Sequence, residues 1–168
     1  NGTFQLYLSD TSGKTIVQIT DNKGNHFKPR FNPRATFIAY LSDKHSFGGR
    51  KDLWVQDLNT GTTARLTRNV FVHDFIWLDD KTVLYVAGDD KTEIHSRSLF
   101  EKESKIFIHT PTPKPYSESA PRLLPIKRAV KIIYTRIYEN GDKEIFWVDD
   151  DGNNAEAIVK STGADWLD

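Results

Sequence analysis

The 168-residue sequence carries 23 basic and 23 acidic residues and contains no cysteine or methionine. This composition excludes thiol catalysis, a zinc–cysteine site and a disulfide framework. The balanced charge, and apolar runs far shorter than the roughly 18 residues of a membrane helix, predict neither a nucleic-acid partner nor a membrane partner. Because the chain starts at Asn1 rather than at a methionine, we interpret it as a processed or excised segment.

One structural unit repeats along the chain. A short strand followed by a polar turn occurs four times, around the anchor residues Leu6, Leu53, Ile94 and Ile145. Successive anchors are 47, 41 and 51 residues apart, a mean of about 46. This spacing is typical of a four-stranded β-propeller blade of roughly 40–50 residues. Aromatic residues make up 12% of the chain, which favours strands, and no stretch has helical periodicity, so the sequence predicts an all-β fold.

The strands of each blade are labelled A to D in chain order. The predicted fold is one domain (1–168) that forms a partial ring of four-stranded antiparallel propeller blades. A β-sandwich also consists of short strands and frequent turns, but it does not repeat a four-strand unit. The predicted segments are strands C and D of blade one (1–21), blade two (26–67), blade three (73–110), blade four (117–161) and the start of a next blade (163–168).

Two tryptophans test this register. Trp54 and Trp147 both fall in a strand C, but Trp54 directly follows its anchor residue whereas Trp147 comes two residues after its own. Because side chains alternate between the faces of a strand, this offset of one position predicts that the two rings point to opposite faces of their sheets.

The motifs of blade two resemble a known repeat. Residues 27–33 read F-K-P-R-F-N-P, residues 37–43 F-I-A-Y-L-S-D, residues 52–57 D-L-W-V-Q-D and residues 64–67 A-R-L-T. This series resembles the TolB-type propeller repeat, approximately P-x-W-S-P-D-G-x-x-I-A-F-x-S-D-R, D-I-Y-V-x-D and R-R-L-T. Arg34-Ala35 departs from the Asp-Gly turn of the family. Blade three is degenerate, and blade four matches in parts, at 119–122, 131–136 and 149–154.

The resemblance implies a non-catalytic scaffold in the periplasm, or otherwise outside the cytoplasm, that binds a protein partner. Two other functions use similar repeats and remain open. One is the substrate-gating propeller of a prolyl-oligopeptidase-like or tricorn-like peptidase, and the other is the periplasmic sensor domain of a membrane-anchored, CadC-like transcription regulator. The sequence contains no Gly-x-Ser-x-Gly or His-Glu-x-x-His motif, so we expect no catalytic residue within this chain.

The propeller register predicts a binding surface. The loops from strand B to C and from strand D to the next strand A emerge at the same end of the strands, and loops on a rigid scaffold commonly carry binding residues. These loops and their borders contain the candidate residues His26, Lys28, Lys44, His45, Phe47, Arg50, His73, Tyr116, Arg136 and Tyr138.

No cofactor and no metal site are expected. The acidic run 149–154 superficially resembles a calcium loop, but the sixth and twelfth positions of such a loop would be Asn154 and Lys160 rather than glycine and glutamate. The blade register already places a hairpin turn there. The histidines of the loop face are divided between blades two and three and do not have the spacing of metal ligands.

The same register predicts self-association. Strands C and D of blade one lack strands A and B, and a strand edge without a partner invites pairing with another chain. We therefore expect the segment to associate with itself through open blade edges.

Overall fold

The structure is a computed structural model that describes residues 2–21, 23–108, 116–126 and 129–159. The chain divides into two compact units, Asn1–Val72 and His73–Asp168. The described residues contain strands and turns but no helix, so none of them forms a helix long and apolar enough to cross a membrane. The predicted start of a further blade at 163–168 lies outside the described residues.

The first unit contains a two-stranded sheet and a four-stranded sheet. The two-stranded sheet pairs β1 (Tyr7–Ser9) with β2 (Ile16–Gln18). The four-stranded sheet has the order β3-β4-β5-β6, so that neighbours in sequence are neighbours in space. Its strands are β3 (His26–Phe31), β4 (Phe37–Ser42), β5 (Asp52–Asp57) and β6 (Thr63–Arg65).

The second unit contains two more four-stranded sheets with the same sequential order. The strands of one are β7 (Val72–Trp77, which starts at the last residue of the first unit), β8 (Thr82–Ala87), β9 (Glu93–Ser98) and β10 (Lys105–Ile106). Those of the other are β11 (Tyr116–Ile126), β12 (Ala129–Tyr138), β13 (Lys143–Asp149) and β14 (Glu156–Val159). The predicted all-β fold of four-stranded antiparallel blades is confirmed.

A backbone hydrogen bond recurs at the head of each strand A. The amides of His26, Val72 and Glu118 donate to the carbonyls of Phe4, Lys51 and Thr92, at 2.9, 3.0 and 2.8 Å. The donors are spaced by 46 residues, and each acceptor lies two residues before an anchor residue. The repeat in the sequence therefore corresponds to a repeated backbone hydrogen bond. It joins strand A of one blade to the residue just before strand C of the preceding blade.

A second repeated contact satisfies the buried amide of the anchor residue. The amide of Leu6 donates to Oγ1 of Thr20 at 3.0 Å, and that of Leu53 donates to Oγ1 of Thr67 at 2.9 Å. Both threonines are buried at the end of a strand D. A buried amide without an acceptor destabilises a fold by about 1–3 kcal/mol, so this contact explains the threonine of the A-R-L-T motif.

Blade three meets the same requirement with a different residue. Its position equivalent to Thr67 is the fully buried Ile108, because Phe107 donates its amide to Ile94 as Leu66 does to Leu53. Isoleucine has no acceptor, and the amide of Ile94 donates instead to Oε2 of Glu118 at 3.1 Å. A fully buried carboxylate from blade four therefore replaces the missing hydroxyl.

The hydrophobic core lies between the sheets of each unit. In the first unit Leu6 packs with Tyr40 and Trp54. In the second unit the core joins residues of blades three and four, including Leu84, Ile94, Phe107, Ile108, Ile132, Tyr134, Phe146 and Val148.

The two tryptophans occupy different faces, as the offset of one position predicts. Trp54 pairs with Tyr40 across β4 and β5, and Phe146 pairs with Tyr134 in the equivalent place of blade four. Trp147 pairs with Ile133 on the opposite face, where it is half-buried and its indole N–H donates to Glu156 at 3.1 Å.

Replacing Trp54 by alanine is therefore expected to lower the free energy of unfolding by about 3–5 kcal/mol, because a buried aromatic ring is lost from the core. Trp147→Ala is the matched control, with an expected loss of about 1 kcal/mol. Urea unfolding followed by far-UV circular dichroism measures both. Equal losses would contradict the register.

Glu118→Ala is expected to destabilise the chain by about 2–3 kcal/mol, because the buried amide of Ile94 loses its acceptor. Adding Ile108→Thr should restore part of this loss, since a threonine hydroxyl accepts the same hydrogen bond in blades one and two. Introduced alone into the parent chain, Ile108→Thr should lower the free energy of unfolding. A double-mutant cycle on the free energy of unfolding tests the coupling, and strictly additive effects would rule out the substitution of one acceptor for the other.

Candidate binding surface

The loop between β4 and β5 is fixed at its base by a buried carboxylate. Asp52 accepts hydrogen bonds from Oγ of Ser46 at 2.6 Å and Oγ1 of Thr67 at 2.9 Å. It also forms an ion pair with Arg65, whose guanidinium donates to the carbonyl of His45 at 3.4 Å. Because Asp52 is fully buried, these contacts hold both the first half of the loop and the start of β5 in place.

The tip of this loop presents an aromatic ring to solvent. Phe47 is 85% exposed. The turn around it uses left-handed backbone at His45, Gly48 and Gly49, with φ of 64°, 66° and 72°. Beyond the tip, Nη1 of Arg50 donates to the carbonyl of Asn69 at 3.2 Å, which ties the end of the loop to the segment after β6.

Charged groups surround the base of the loop. Lys44 forms an ion pair with Asp21, and its ammonium lies 5.5 Å from the centre of the Trp54 ring. The hydrogen bond from Lys44 lowers the pKa of Asp21 below its ordinary value. The ring of His45 lies 6.2 Å from that of Trp54, so Lys44 and His45 both lie near this indole.

His26, in contrast, lies inside the unit. It is 4% exposed, and its ring meets Tyr40 edge-on at 5.3 Å. Neither ring nitrogen has a hydrogen-bond partner among the described residues. Burial lowers the pKa of His26, against the smaller opposing effects of Asp21 and Asp43. Burial also raises the pKa of Tyr40 to about 12.

Lys28 and His73 make contacts of other kinds. Lys28 is exposed at a β-bulge between Phe27 and Arg30 and has a φ of 50°. In the second unit, Nε2 of His73 lies 2.7 Å from the carbonyl oxygen of Gly88. The histidine ring therefore links the start of β7 to the end of β8 and is only half-buried.

The second unit brings three of the candidate residues together. The guanidinium of Arg136 lies 4.4 Å from the centre of the Tyr116 ring and 3.9 Å from that of Phe146. The ring of Tyr138 meets that of Tyr116 at 5.7 Å, and its hydroxyl donates to Glu144 at 2.6 Å. The pKa of Tyr138 is raised by desolvation and by this carboxylate.

Most of this aromatic cluster is closed to solvent. Tyr116 and Arg136 are buried, and Nε and Nη2 of Arg136 have no hydrogen-bond partner among the described residues. Tyr138 is half-buried. The cluster therefore packs side chains of β11, β12 and β13 against one another within blade four, and only its Tyr138 end is available for contact with another molecule.

The sequence analysis did not select the buried carboxylates Asp52 and Glu118. Both lie inside strands, whereas the candidate residues were chosen from loops and their borders. The signal for Asp52 was its position directly before an anchor residue, where blade four has Glu144. Glu118 carried no comparable signal, because its role arises only from the isoleucine at position 108. Among the described residues, no group of histidine, aspartate or glutamate side chains could hold a metal ion.

Comparisons with known proteins agree with this geometry. No family model matches the chain. A 63-residue stretch is 33% identical to the protein TolB homolog of Chlamydia muridarum (strain MoPn / Nigg), over 38% of this chain and 14% of that protein. The crystal structure of TolB from Acinetobacter baumannii superimposes with a TM-score of 0.65 and 22% identity, over 92% of this chain and 37% of that one.

The chain has a TolB-like β-propeller fold. A prolyl endopeptidase structure also superimposes, with a TM-score of 0.68 and 10% identity, over 93% of this chain and 23% of that one. The TolB-like chain thus spans a minor part of the length of each of these three proteins.

The buried histidine predicts a pH dependence. Because the pKa of His26 is lowered in the folded state, the unfolded state takes up more protons below the ordinary histidine value of 6.5. Stability contributed by neutral His26 is therefore present above pH 6.5 and is lost as the pH falls, by at most about 1.4 kcal/mol per pH unit.

His26→Phe, which keeps a ring against Tyr40, is expected to flatten this part of the profile between pH 7.5 and 5.5. The measurement is the free energy of urea unfolding at several pH values. His45→Phe, at an exposed position, serves as the control and should retain the parent slope. An unchanged slope in His26→Phe would show that other groups cause the acid sensitivity.

Proposed function

We propose that this TolB-like propeller segment is a non-catalytic, extracytoplasmic scaffold that binds a protein partner. The observation that carries the proposal is Phe47, a large aromatic side chain held in solvent at the tip of a loop whose base is fixed. An aromatic ring that gains nothing from its own fold can contribute binding free energy when a partner covers it.

The geometry of the loop suits recognition in three ways. The bonds to Asp52 and Asn69 order the backbone before binding, which reduces the entropy lost on association. Lys44, His45 and Arg50 supply polar groups in the same loop, as in the rim of an interface. The sheet beneath is rigid, so the position of Phe47 is defined relative to the blade.

The proposed extracytoplasmic location and the proposed absence of catalysis are supported by the repeat and by the composition of the chain. The resemblance to the TolB-type repeat implies a periplasmic scaffold, and the likeness of the structure to Acinetobacter baumannii TolB supports the comparison. The sequence itself carries neither a cysteine nor a recognisable hydrolase motif. Lys28, exposed in the first unit, and Tyr138, half-buried in the second, are proposed as further contacts, each of its own unit.

A photo-crosslinking experiment tests the proposal. Para-benzoylphenylalanine replaces Phe47 in the full-length protein, which is irradiated in the producing cells. We expect crosslinking to one discrete protein, identified by mass spectrometry. The matched control replaces Phe100, which is 72% exposed in the turn after β9. This turn joins strand C to strand D of its blade. Such turns lie at the opposite end of the strands from the B–C loops.

A specific product at position 47, absent at position 100, supports the scaffold function. A partner outside the cytoplasm would support the location as well, and a cytoplasmic partner would contradict it. No product at position 47, or the same products at both positions, would contradict a dedicated surface around Phe47.

The likeness to a prolyl endopeptidase favours a second candidate, the substrate-gating propeller of a peptidase. In that function the loop face contacts peptides that pass toward a catalytic domain. The same experiment separates the two functions, because a gating propeller should capture short peptides of varied sequence at position 47 rather than one folded protein.

A further inference from the structure

Three neighbouring loops of the first unit are joined to one another by hydrogen bonds, and the middle one carries Phe47. We call them the loop surface, which consists of residues 19–21 and 23–25 before β3, residues 43–51 between β4 and β5, and residues 66–71 after β6. At the start of the middle loop, Asp43 accepts hydrogen bonds from the amide and from Nδ2 of Asn25, at 2.6 and 2.8 Å. At its end, Arg50 donates to the carbonyl of Asn69 in the third loop.

The loop surface is positively charged. It contains five basic and two acidic residues, so its net charge is plus three with histidine neutral. The basic residues are Lys23, Lys44, Arg50, Lys51 and Arg68, and the acidic ones are Asp21 and Asp43. At the other end of the same strands the charges cancel. The turns there contain Asp10, Lys14 and Arg34, and Asp57 is the last residue of β5.

The fold does not require a positive charge at this place. The loop between β4 and β5 has a net charge of plus two. The equivalent loops of the other two four-stranded blades have the opposite sign, with minus one at residues 88–92 and minus two at residues 139–142. The positive charge is therefore particular to the blade whose loop carries Phe47.

The acidic residues of the loop surface are engaged within it. Asp43 holds the first loop to the second, and Asp21 forms an ion pair with Lys44. Lys23 and Arg68 are exposed, and within the described part of the chain neither forms an ion pair. The carboxylates of the surface thus leave cations in the two outer loops that another molecule can neutralise.

We propose that the loop surface binds an acidic segment of the protein partner, in which an apolar side chain covers Phe47 and carboxylates bind Lys23 and Arg68. This inference rests on the proposed function and specifies the chemistry of the partner. An aromatic ring contributes binding free energy when it is covered, and complementary charges select the partner and speed its association. Lysine and arginine form charge-assisted hydrogen bonds with carboxylates.

An acidic protein segment fits this surface better than a nucleic acid does. Binding to a phosphate backbone needs basic groups that neutralise several successive phosphates. Here Asp21 and Asp43 interrupt the basic residues, and the whole chain has a net charge of zero. A single exposed ring with scattered cations suits one apolar side chain among carboxylates.

The molecule captured at position 47 tests this chemistry. Para-benzoylphenylalanine replaces Phe47 in the full-length protein, and after irradiation in the producing cells the crosslinked peptide is sequenced by mass spectrometry. We expect aspartate and glutamate to outnumber lysine and arginine among the roughly ten residues on either side of the attachment point. A neutral or basic segment of one discrete partner would overturn this inference and leave the scaffold function standing. The absence of any product, or a product that nuclease removes, would overturn both.

Charge reversal tests the contribution of the loop surface itself. Lys23→Glu combined with Arg68→Glu reverses two exposed cations of the outer loops. The matched control, Lys14→Glu combined with Lys102→Glu, makes the same change in net charge at two exposed turns between strands C and D. We expect the first pair to lower the crosslinking yield at position 47, relative to the soluble amount of each variant, by about fivefold or more. The control pair should retain the parent yield.

Two outcomes of the charge reversal count against the acidic segment even when one discrete partner is captured. A parent yield in Lys23→Glu with Arg68→Glu would show that these cations do not contact the partner. An equal loss in both pairs would show that the total charge of the protein matters and the loop surface does not.

Discussion

The buried amide of the anchor residue is the constraint on which much of the structure depends. In blades one to three the anchor residue is buried, so water cannot serve as the acceptor of its amide, and the chain must supply one. Blades one and two supply a threonine of the same blade. Blade three supplies Glu118 from the following blade, which turns a contact within a blade into one between blades. That change places a carboxylate in the core, and it explains why a cation lies beside it: Arg136 is the register partner of Glu118 on β12.

The surroundings of Arg136 also differ from those of the equivalent residue in blade two. Arg136 must itself be accommodated without water, and it lies against the rings of Tyr116 and Phe146, whose faces attract a guanidinium. In blade two the equivalent places are held by His26 and Ser42, a smaller and neutral pair. The two interfaces between blades therefore share a backbone plan but differ in charge. The difference also removes one residue of the TolB-type motif from blade three, because Ile108 stands at the position of Thr67 and blade four supplies the acceptor.

The sequence predicted the strands well because the repeat is enforced by backbone contacts. Strands β5 and β9 begin and end where their motifs predict, and the offset between Trp54 and Trp147 correctly assigned their faces. Burial was harder to predict. His26 and Arg136 looked like loop-face residues, since both stand near the end of a strand, but both side chains are buried. The ring of His26 packs against Tyr40, and the guanidinium of Arg136 packs against Tyr116 and Phe146, each within its own blade. Position along a strand follows from local sequence, whereas burial depends on the side chains that the fold brings against it. Phe47 lies in the middle of the nine-residue loop 43–51 between β4 and β5, a position that favours exposure.

Phe47 is an exposed apolar group that an ordered loop presents to solvent. A partner that covers it must provide a shaped pocket, and such contacts discriminate strongly between partners. Lys44, His45 and Arg50 belong to the same loop, and their side chains are held by Asp21, Trp54 and Asn69 rather than by the ring. The contacts that order the loop therefore leave the aromatic side chain at its tip free for recognition.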